Sequence, residues 1–213
     1  MNQLATPEQT SGQQQGREVS AQQQLRQQVQ SMKPDWQKAL PDHVTVEKFE
    51  RVALTAVNQN PDLAKCDRRS LFAALTCAAQ DGLLPDGREA ALVSFGGKAQ
   101  YMPMIGGILK KVRNSGDLAT ISAHVVYQND EFDYELGDFE RIKHKPSLDN
   151  RGRPLCAYAI AHLKDGSVMR EVMSIDEIEQ VRSVSRAANA GPWKQWWSEM
   201  ARKTVLRRLS KRL

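Results

Sequence analysis

The segment Gly82–Gly116 constrains the fold most, because it combines short apolar runs, paired glycines and a basic stretch. The run Glu89–Ser94 predicts a strand, and Phe95-Gly96-Gly97-Lys98 predicts a hairpin turn, since paired glycines supply the positive φ that such turns need. A second strand over Ala99–Met102 is expected to end at Pro103, which cannot donate to a sheet ladder. The sequence therefore predicts a β-hairpin followed by a helix.

The helix after the hairpin is predicted to be amphipathic and basic. Ile108, Leu109 and Val112 can share one face, and the cations point mostly elsewhere. With Lys98 at the turn, these cations suit a phosphate backbone, and Tyr101 is a candidate contact for a base or sugar. The helix cations are Lys110, Lys111 and Arg113. The alternative is an ordinary β-β-α core unit with solvated lysines.

Helices are predicted ahead of the hairpin. Capping residues and apolar stripes favour helices over Val46–Asn60 and Arg68–Asp81, and Phe72 is expected in the core. The segment Ala21–Met32 is compatible with a helix but has too few apolar groups to be stable alone. We expect it to dock on another surface, such as a neighbouring subunit.

Strands are predicted after the basic helix. The segment Thr120–Tyr127 alternates apolar and polar residues, and Phe132–Leu136 places its apolar residues on one face. A second hairpin is expected at Asp165-Gly166, and a capping box at Ser174 begins the C-terminal helices. The predicted fold class is α+β: N-terminal helices, a β-hairpin followed by a basic helix, an antiparallel β-meander and C-terminal helices.

The N-terminal tail differs in composition from the rest of the chain. Residues 1–20 are rich in Gln, Gly and Ser, so we expect disorder there, and residues 21–213 are predicted to form a single domain. No apolar run approaches a membrane span and no signal peptide is visible, so a cytoplasmic protein is expected. The cysteines show no C-x-x-C spacing and are expected to be buried thiols: Cys66, Cys77 and Cys156.

Positive charge is concentrated at the C-terminus. The formal net charge is +5, and Arg182–Arg212 holds nine lysines and arginines against one carboxylate, Glu199. On a helix, Lys203, Arg207 and Lys211 would stand one turn apart on one face, and such a row can follow phosphates. A solvated basic face is the alternative.

Three tryptophans precede this basic row. We expect a helix over Trp193–Leu213 whose apolar side includes Trp196 together with Val205. On this arrangement Trp196 belongs to the core, and Trp193 or Trp197 is a candidate for stacking on a base.

Motifs for chemistry are sparse. The Gly96-Gly97-Lys98 run lacks the spacing of a phosphate-binding loop, so an ATP-driven motor is not expected. The histidines lack metal-ligand spacing and are expected to be structural or at the surface: His43, His124, His144 and His162. The carboxylates of Asp130–Glu140 leave a Mg²⁺-dependent nuclease as the alternative function. A protein-interaction scaffold is a third hypothesis.

Three segments resemble the RecT family of phage and prophage single-strand annealing proteins: Ser31–Cys66, Ser70–Gly116 and Trp196–Leu213. The most specific parts are YMPMIGGILKKVRNSG, residues 101–116, and KTVLRRLSKRL, residues 203–213. The resemblance extends from about Ser31 to the end of the chain.

The resemblance implies a recombinase that binds single-stranded DNA and pairs it with a complementary strand, without ATP and with Mg²⁺ as an optional aid. It implies a β-β-β-α core, rings or helical filaments, and single-stranded and annealed duplex DNA held in a basic groove. It also implies work beside a 5′→3′ exonuclease in a bacterial host cell, without covalent catalysis. The family's C-terminal extension, which contacts the host single-strand-binding protein, is expected to be absent because the chain stops at Leu213.

Annealing is therefore the main hypothesis, with contacts to the DNA backbone from cations of the hairpin, the basic helix and the C-terminal region. These candidates are Lys98, Lys110, Lys111, Arg113, Arg186, Arg202, Lys203, Arg207 and Arg208, with Tyr101 beside them. Contacts between subunits are expected at the N-terminal helices and the acidic edge Glu131–Glu140.

Overall fold

The computed structural model describes residues 23–213, which divide into two units, the first ending at Gly107 and the second running from Ile108 to Leu213. The expected disordered tail, residues 1–20, lies outside the described residues. The single domain over residues 21–213 stays a prediction. The α+β fold class, with antiparallel sheets between N-terminal and C-terminal helices, is confirmed.

The first unit begins with a group of helices. They are α1 (residues 23–31), α2 (Lys33–Ala39), α3 (Val46–Gln59), α4 (Pro61–Ala64) and α5 (Arg68–Gln80). Side chains cap three of them, because Thr45 accepts a hydrogen bond from the Lys48 amide, Asn60 one from the Asp62 amide and Asp67 one from the Ser70 amide. Trp36 meets Phe49 edge to face in the core, with ring centroids 5.2 Å apart.

Helix α1 docks within its own unit. Leu25 and Val29 are buried in the same core cluster as Trp36 and Leu71. The expectation that this helix docks on another surface is therefore confirmed for its described residues, and that surface is the core of its own unit. A contact between the N-terminal helices and a neighbouring subunit stays a prediction. Phe72 is only partly buried and packs against the edge of this cluster.

The predicted hairpin is present. Strands β1 (Ala90–Phe95) and β2 (Lys98–Pro103) pair antiparallel, with Phe95 opposite Lys98. Gly96 and Gly97 have φ of 55° and 73°, as the two-residue turn requires. Helix α6 (Ile105–Asn114) follows.

Close packing requires a glycine near the start of α6. A Cβ atom on Gly107 would lie only 2.1 Å from the Glu89 carbonyl oxygen. Any larger residue would therefore push the first turn of α6 away from the segment that leads into β1.

The second unit is built on antiparallel strands. Its strands are β3 (Leu118–Tyr127), β4 (Glu131–Glu135), β5 (Arg141–Lys145), β6 (Pro154–Leu163) and β7 (Val168–Ser174). Its later helices are α7 (Ile175–Ser183), α8 (Pro192–Gln195) and α9 (Trp197–Leu209), and a 3₁₀ turn over Ser210–Arg212 follows. The capping box joins the Ser174 and Glu177 side chains to each other's backbone amides, as predicted.

The strand order differs from a simple meander. The main sheet has the strand order β3-β6-β7, so β3 pairs directly with β6. Strands β4 and β5, which lie between them in the sequence, form a separate hairpin. Strand β6 is the central strand of this sheet, because it pairs with β3 on one side and β7 on the other. Its successive residues Cys156, Ala157, Tyr158 and Ala159 are all buried, which means that both faces of the strand are covered. An alternating strand such as β4 is suited instead to a partly solvated hairpin.

Helix α9 covers one face of this sheet. Ala157, Ala159 and Ala161 of β6 share a core with Val205 and Leu209 of α9, and the small alanines permit close approach. The opposite face carries a smaller cluster around Val126, Cys156 and Tyr158. Among the cysteines, Cys66 and Cys156 are buried, whereas Cys77 is exposed, so the expectation of three buried thiols is wrong for Cys77.

Candidate nucleic-acid interface

An open groove of about 700 Å³ lies between α7 and α9 in the second unit. Its floor is largely apolar, one wall is cationic and comes from α9, and the other wall comes from α7. The floor includes Met173, Trp193, Met200 and Thr204. The cationic wall consists of Lys203, Arg207 and Arg208 of α9 and Lys211 of the 3₁₀ turn that follows it, and the opposite side consists of Glu177, Gln180 and Val181 of α7 with Val184 and Ser185 just after it.

The cationic wall follows from the periodicity of α9. Ala201, Val205 and Leu209 are buried against the sheet, so positions one helical turn apart on another side face the groove. Lys203 and Arg207 occupy such positions. Within residues 23–213, no carboxylate forms an ion pair with Lys203 or Lys211.

Arg208 lies in this groove but is held by carboxylates. Its Nε lies 3.0 Å from Glu171 of β7, and its Nη1 lies 2.6 Å from Glu177 of α7. The pKa of Glu177 is lowered, first by its hydrogen bond with the Ser174 amide and then by Arg208. Arg208 therefore braces β7, α7 and α9 together, and direct contact of its guanidinium with phosphate stays a prediction.

The tryptophans are placed differently from the prediction. Trp193 is 4% exposed and Trp196 is 63% exposed, so Trp196 is not a core residue and Trp193 is not available for stacking. The Trp197 indole donates a hydrogen bond of 2.8 Å to Glu179. The physical reason is a break at Trp196, with φ −133° and ψ 50°, which separates α8 from α9 and changes the phase of the helix.

In the first unit, the structure separates the roles of the two hairpin candidates. Lys98 is exposed at the turn. The Tyr101 hydroxyl donates a hydrogen bond of 2.8 Å to Asp81, and burial, aided by that carboxylate, raises the pKa of Tyr101 well above its usual range. Tyr101 therefore anchors β2 on the end of α5, and its contact with a base stays a prediction.

The remaining candidates lie in the second unit. On α6, Lys110 is half-buried, whereas Lys111 and Arg113 are exposed, and Arg186 is exposed after α7. Arg202 pairs with Glu199 on α9 and lines a second cavity rather than the groove. The groove thus brings together Lys203, Arg207 and Arg208 of the predicted set.

The acidic edge is largely paired with cations of its own hairpin. Glu131 lies 3.3 Å from Lys145, and Arg141 lies 3.3 Å from Asp133 and 3.2 Å from Glu135. Asp130 is not part of this exposed row, because its side chain is fully buried. In the described part of the chain, no cluster of three or more His, Cys, Asp or Glu side chains has a geometry suited to a metal ion.

Sequence reasoning missed the α7 wall and the exposed Trp196. Val181 of α7 and Val184 at its C-terminal cap are exposed, although apolar residues of a short amphipathic helix would be assigned to its buried face. Residues 23–213 contain no helix with both the length and the apolar character of a membrane span.

An α+β unit with a row of cations along an open groove is typical of a protein that binds a polyanion. The model of the RecT family matches residues 47–213. The chain is also 42% identical over 194 residues to Protein RecT of Escherichia coli (strain K12), covering 86% of this chain and 72% of that protein. The chain therefore belongs to the RecT family, and it is a DNA-binding protein of recombination by single-strand annealing.

Proposed function

We propose that the protein binds single-stranded DNA along the α7–α9 groove and pairs it with a complementary strand without using ATP. The observation that carries this proposal is the row of Lys203, Arg207 and Lys211 at one wall of the groove, in a chain of the RecT family. Cations at helical spacing can neutralise successive phosphates without reading sequence, as annealing requires.

The energetics need no nucleotide. Stacking and pairing in a new duplex release about 1.4 kcal/mol per base-pair step, so annealing is downhill once the strands meet. The barrier comes from repulsion between two phosphate backbones and from the disorder of the single strand. A cationic wall screens the repulsion between the phosphates, and an extended groove reduces the entropy cost of ordering the single strand. Covalent catalysis has no part in this mechanism.

The apolar part of the groove suits sugars and bases rather than phosphates. Met173 and Met200 lie on the floor, and the exposed Trp196 lies at the break immediately before α9, the helix that carries Lys203 and Arg207. Trp196 is the proposed stacking residue in place of Trp193 or Trp197. One stacked base would orient the strand while the others stay available for pairing.

We also propose that the protein acts as a homo-oligomer, either a ring or a helical filament, beside a 5′→3′ exonuclease. The β4–β5 hairpin supports a contact between copies, because Phe139 at its tip is 85% exposed and Leu136 beside it is also exposed. Since three of the hairpin carboxylates, Glu131, Asp133 and Glu135, are paired with Lys145 or Arg141, this contact depends on apolar burial more than on charge.

A strand-pairing assay tests the main proposal. Two complementary labelled oligonucleotides are mixed without ATP, with and without Mg²⁺, at low and moderate salt. Faster pairing with both strands intact supports annealing, and no acceleration contradicts it. If the strands are shortened in Mg²⁺ by the unaltered protein but stay intact with an Asp133→Ala variant, the result would instead support the nuclease alternative.

A further inference from the structure

A second cavity, of about 210 Å³, lies at the edge strand β3 and the first turns of α9. Its polar and charged lining includes Arg151, Arg202, His124, His144 and Ser198, together with Tyr127. No carboxylate of the described chain lines it, so it presents mainly hydrogen-bond donors and positive charge.

A buried carboxylate behind the cavity fixes two of these groups. The Arg151 guanidinium makes two hydrogen bonds to Asp130, of 3.0 Å from Nε and 2.5 Å from Nη2. His144 Nε2 lies 3.0 Å from the same carboxylate, and its Nδ1 lies 3.1 Å from the Tyr158 hydroxyl. Because an ionised carboxylate can only accept, His144 Nε2 donates to Asp130, and in the neutral ring Nδ1 then accepts from the Tyr158 hydroxyl.

The ionised state of Asp130 is well supported. Hydrogen bonds from Arg151 first, and also from His144 and the backbone amides of Tyr127 and Ser147, hold the pKa of Asp130 well below its usual range despite burial. The Arg151 guanidinium also lies over the Tyr127 ring, 4.2 Å from its centroid. Arg151 and His144 are therefore held in place before any ligand arrives.

The cavity opening carries the groups that a ligand would meet. Ser198 and Arg202 are one turn apart on α9, and the exposed His124 lies across from them on β3. Burial lowers the pKa of His124, and the neighbouring His144, Arg202 and Arg151 lower it further. The carboxylates near these groups are Asp130, behind Arg151, and Glu199, paired with Arg202.

We propose that this cavity binds a phosphate group. Arg202 and the Ser198 hydroxyl would donate hydrogen bonds to its oxygens, His124 would become protonated beside it, and Arg151 would add charge from a fixed position. The cavity is separate from the α7–α9 groove, because Arg202 and Lys203 lie on different sides of α9. The phosphate could belong to DNA or be free in solution, and a free anion would bind even in a chain that pairs no strands.

The test follows the His124 ring by NMR in the full chain during pH titrations. Sodium phosphate is compared with sodium chloride at equal ionic strength. A bound phosphate stabilises the imidazolium, so the pKa of His124 should be higher in sodium phosphate than in sodium chloride of the same ionic strength. His162 is the internal control, since it is exposed on β6 outside the cavity and should respond equally to both salts. An unchanged His124 in both phosphate and DNA overturns the proposal.

Variants identify the cavity as the source of the response. Arg202→Gln should abolish the phosphate-dependent rise, whereas Arg141→Gln, which alters an arginine of the β4–β5 hairpin, should retain it. If Arg202→Gln does not fold, Ser198→Ala removes only a hydroxyl and should weaken phosphate binding by about tenfold, the value of one charge-assisted hydrogen bond. Retention of full phosphate binding in both variants would contradict the assignment.

Oligonucleotides then identify the source of the phosphate. A strand with hydroxyl ends, the same strand with a 5′-phosphate, and inorganic phosphate are each titrated while the His124 ring is observed. A response to the first assigns a backbone phosphate, a response to the second alone assigns a terminal phosphate, and a response to inorganic phosphate alone assigns a free anion. A His124 response to phosphate without strand pairing would contradict only the annealing proposal. Strand pairing without any His124 response would contradict only the phosphate site.

Discussion

At the scale of single residues, the groove assigns different tasks to neighbouring cations. Arg208 is engaged by Glu171 and Glu177 and serves the packing of the unit, whereas Lys203 pairs with no carboxylate in residues 23–213. The sequence shows a cluster of positive charges but does not distinguish these tasks. The distinction depends on carboxylates from β7 and α7, which approach α9 only in the folded chain.

Substitution of the groove cations should weaken DNA binding without changing sequence preference. Lys203→Ala and Arg207→Ala should each reduce the slope of log affinity against log salt by about one, because each removes about one phosphate contact. Lys143→Ala, at an exposed position on β5, is the matched control and should leave the slope unchanged. An unchanged slope in the first two variants would exclude this wall of the groove from phosphate contact.

Trp196 should account for most of the change in tryptophan fluorescence when single-stranded DNA binds. It is the well-exposed indole of the described chain, whereas Trp36 and Trp193 are buried. Trp196→Ala should remove the quenching and cost about 1–3 kcal/mol of binding free energy, the value of one stacked base. Trp197→Phe should keep the quenching, and its loss there would assign the stacking to Trp197 instead.

The buried carboxylate Asp130 makes stability depend on pH. Its pKa is lower in the folded chain than in the unfolded chain, so its contribution to stability is fully present above the unfolded value of about 4 and is lost as pH falls below it. Asp130→Asn should destabilise the second unit by about 3–5 kcal/mol at neutral pH, because it leaves Arg151 without its partner. The variant should also lose less unfolding free energy than the unaltered protein as the pH falls below about 4. Denaturant unfolding at several pH values measures both effects. If the unfolding free energy of the variant falls with pH as steeply as that of the unaltered protein, this account is contradicted.

At the scale of helices and strands, periodicity predicted most of the structure correctly. The hairpin turn at Gly96-Gly97 and the capping box at Ser174 are present, because both depend on residues within a few positions of each other. The prediction was wrong where one regular helix was assumed across the break at Trp196. A break of this kind depends on how α8 and α9 pack, so local sequence does not specify it.

Helix α5 offers a matched pair of core substitutions. Leu71 is fully buried, so Leu71→Ala should cost about 2–5 kcal/mol of unfolding free energy. Phe72 is only partly buried, and Phe72→Ala should therefore cost less than the roughly 3–5 kcal/mol of a fully buried phenylalanine. We expect the smaller loss of unfolding free energy in Phe72→Ala, and chemical denaturation of both variants measures the two losses. An equal or larger loss in Phe72→Ala than in Leu71→Ala would contradict the partial burial of Phe72.

At the scale of the whole molecule, the exposed tip of the β4–β5 hairpin is the proposed contact between copies. Phe139→Ser should shift the protein towards smaller species in sedimentation velocity, because it removes apolar area from that contact. Leu148→Ser, at another highly exposed apolar position, is the control and should leave the size distribution unchanged. If Phe139→Ser also leaves it unchanged, the hairpin tip is not the interface.

The sequence by itself determined the α+β class, the hairpin followed by a basic helix, and the family, because these follow from local propensity, short-range turn chemistry and shared motifs. Tertiary structure alone decided which cations are engaged by carboxylates, which tryptophan is exposed, and that β6 rather than β4 pairs with β3. These outcomes depend on groups far apart in the chain. Their contact energies arise only after helices and strands pack together, so no short window of sequence contains them.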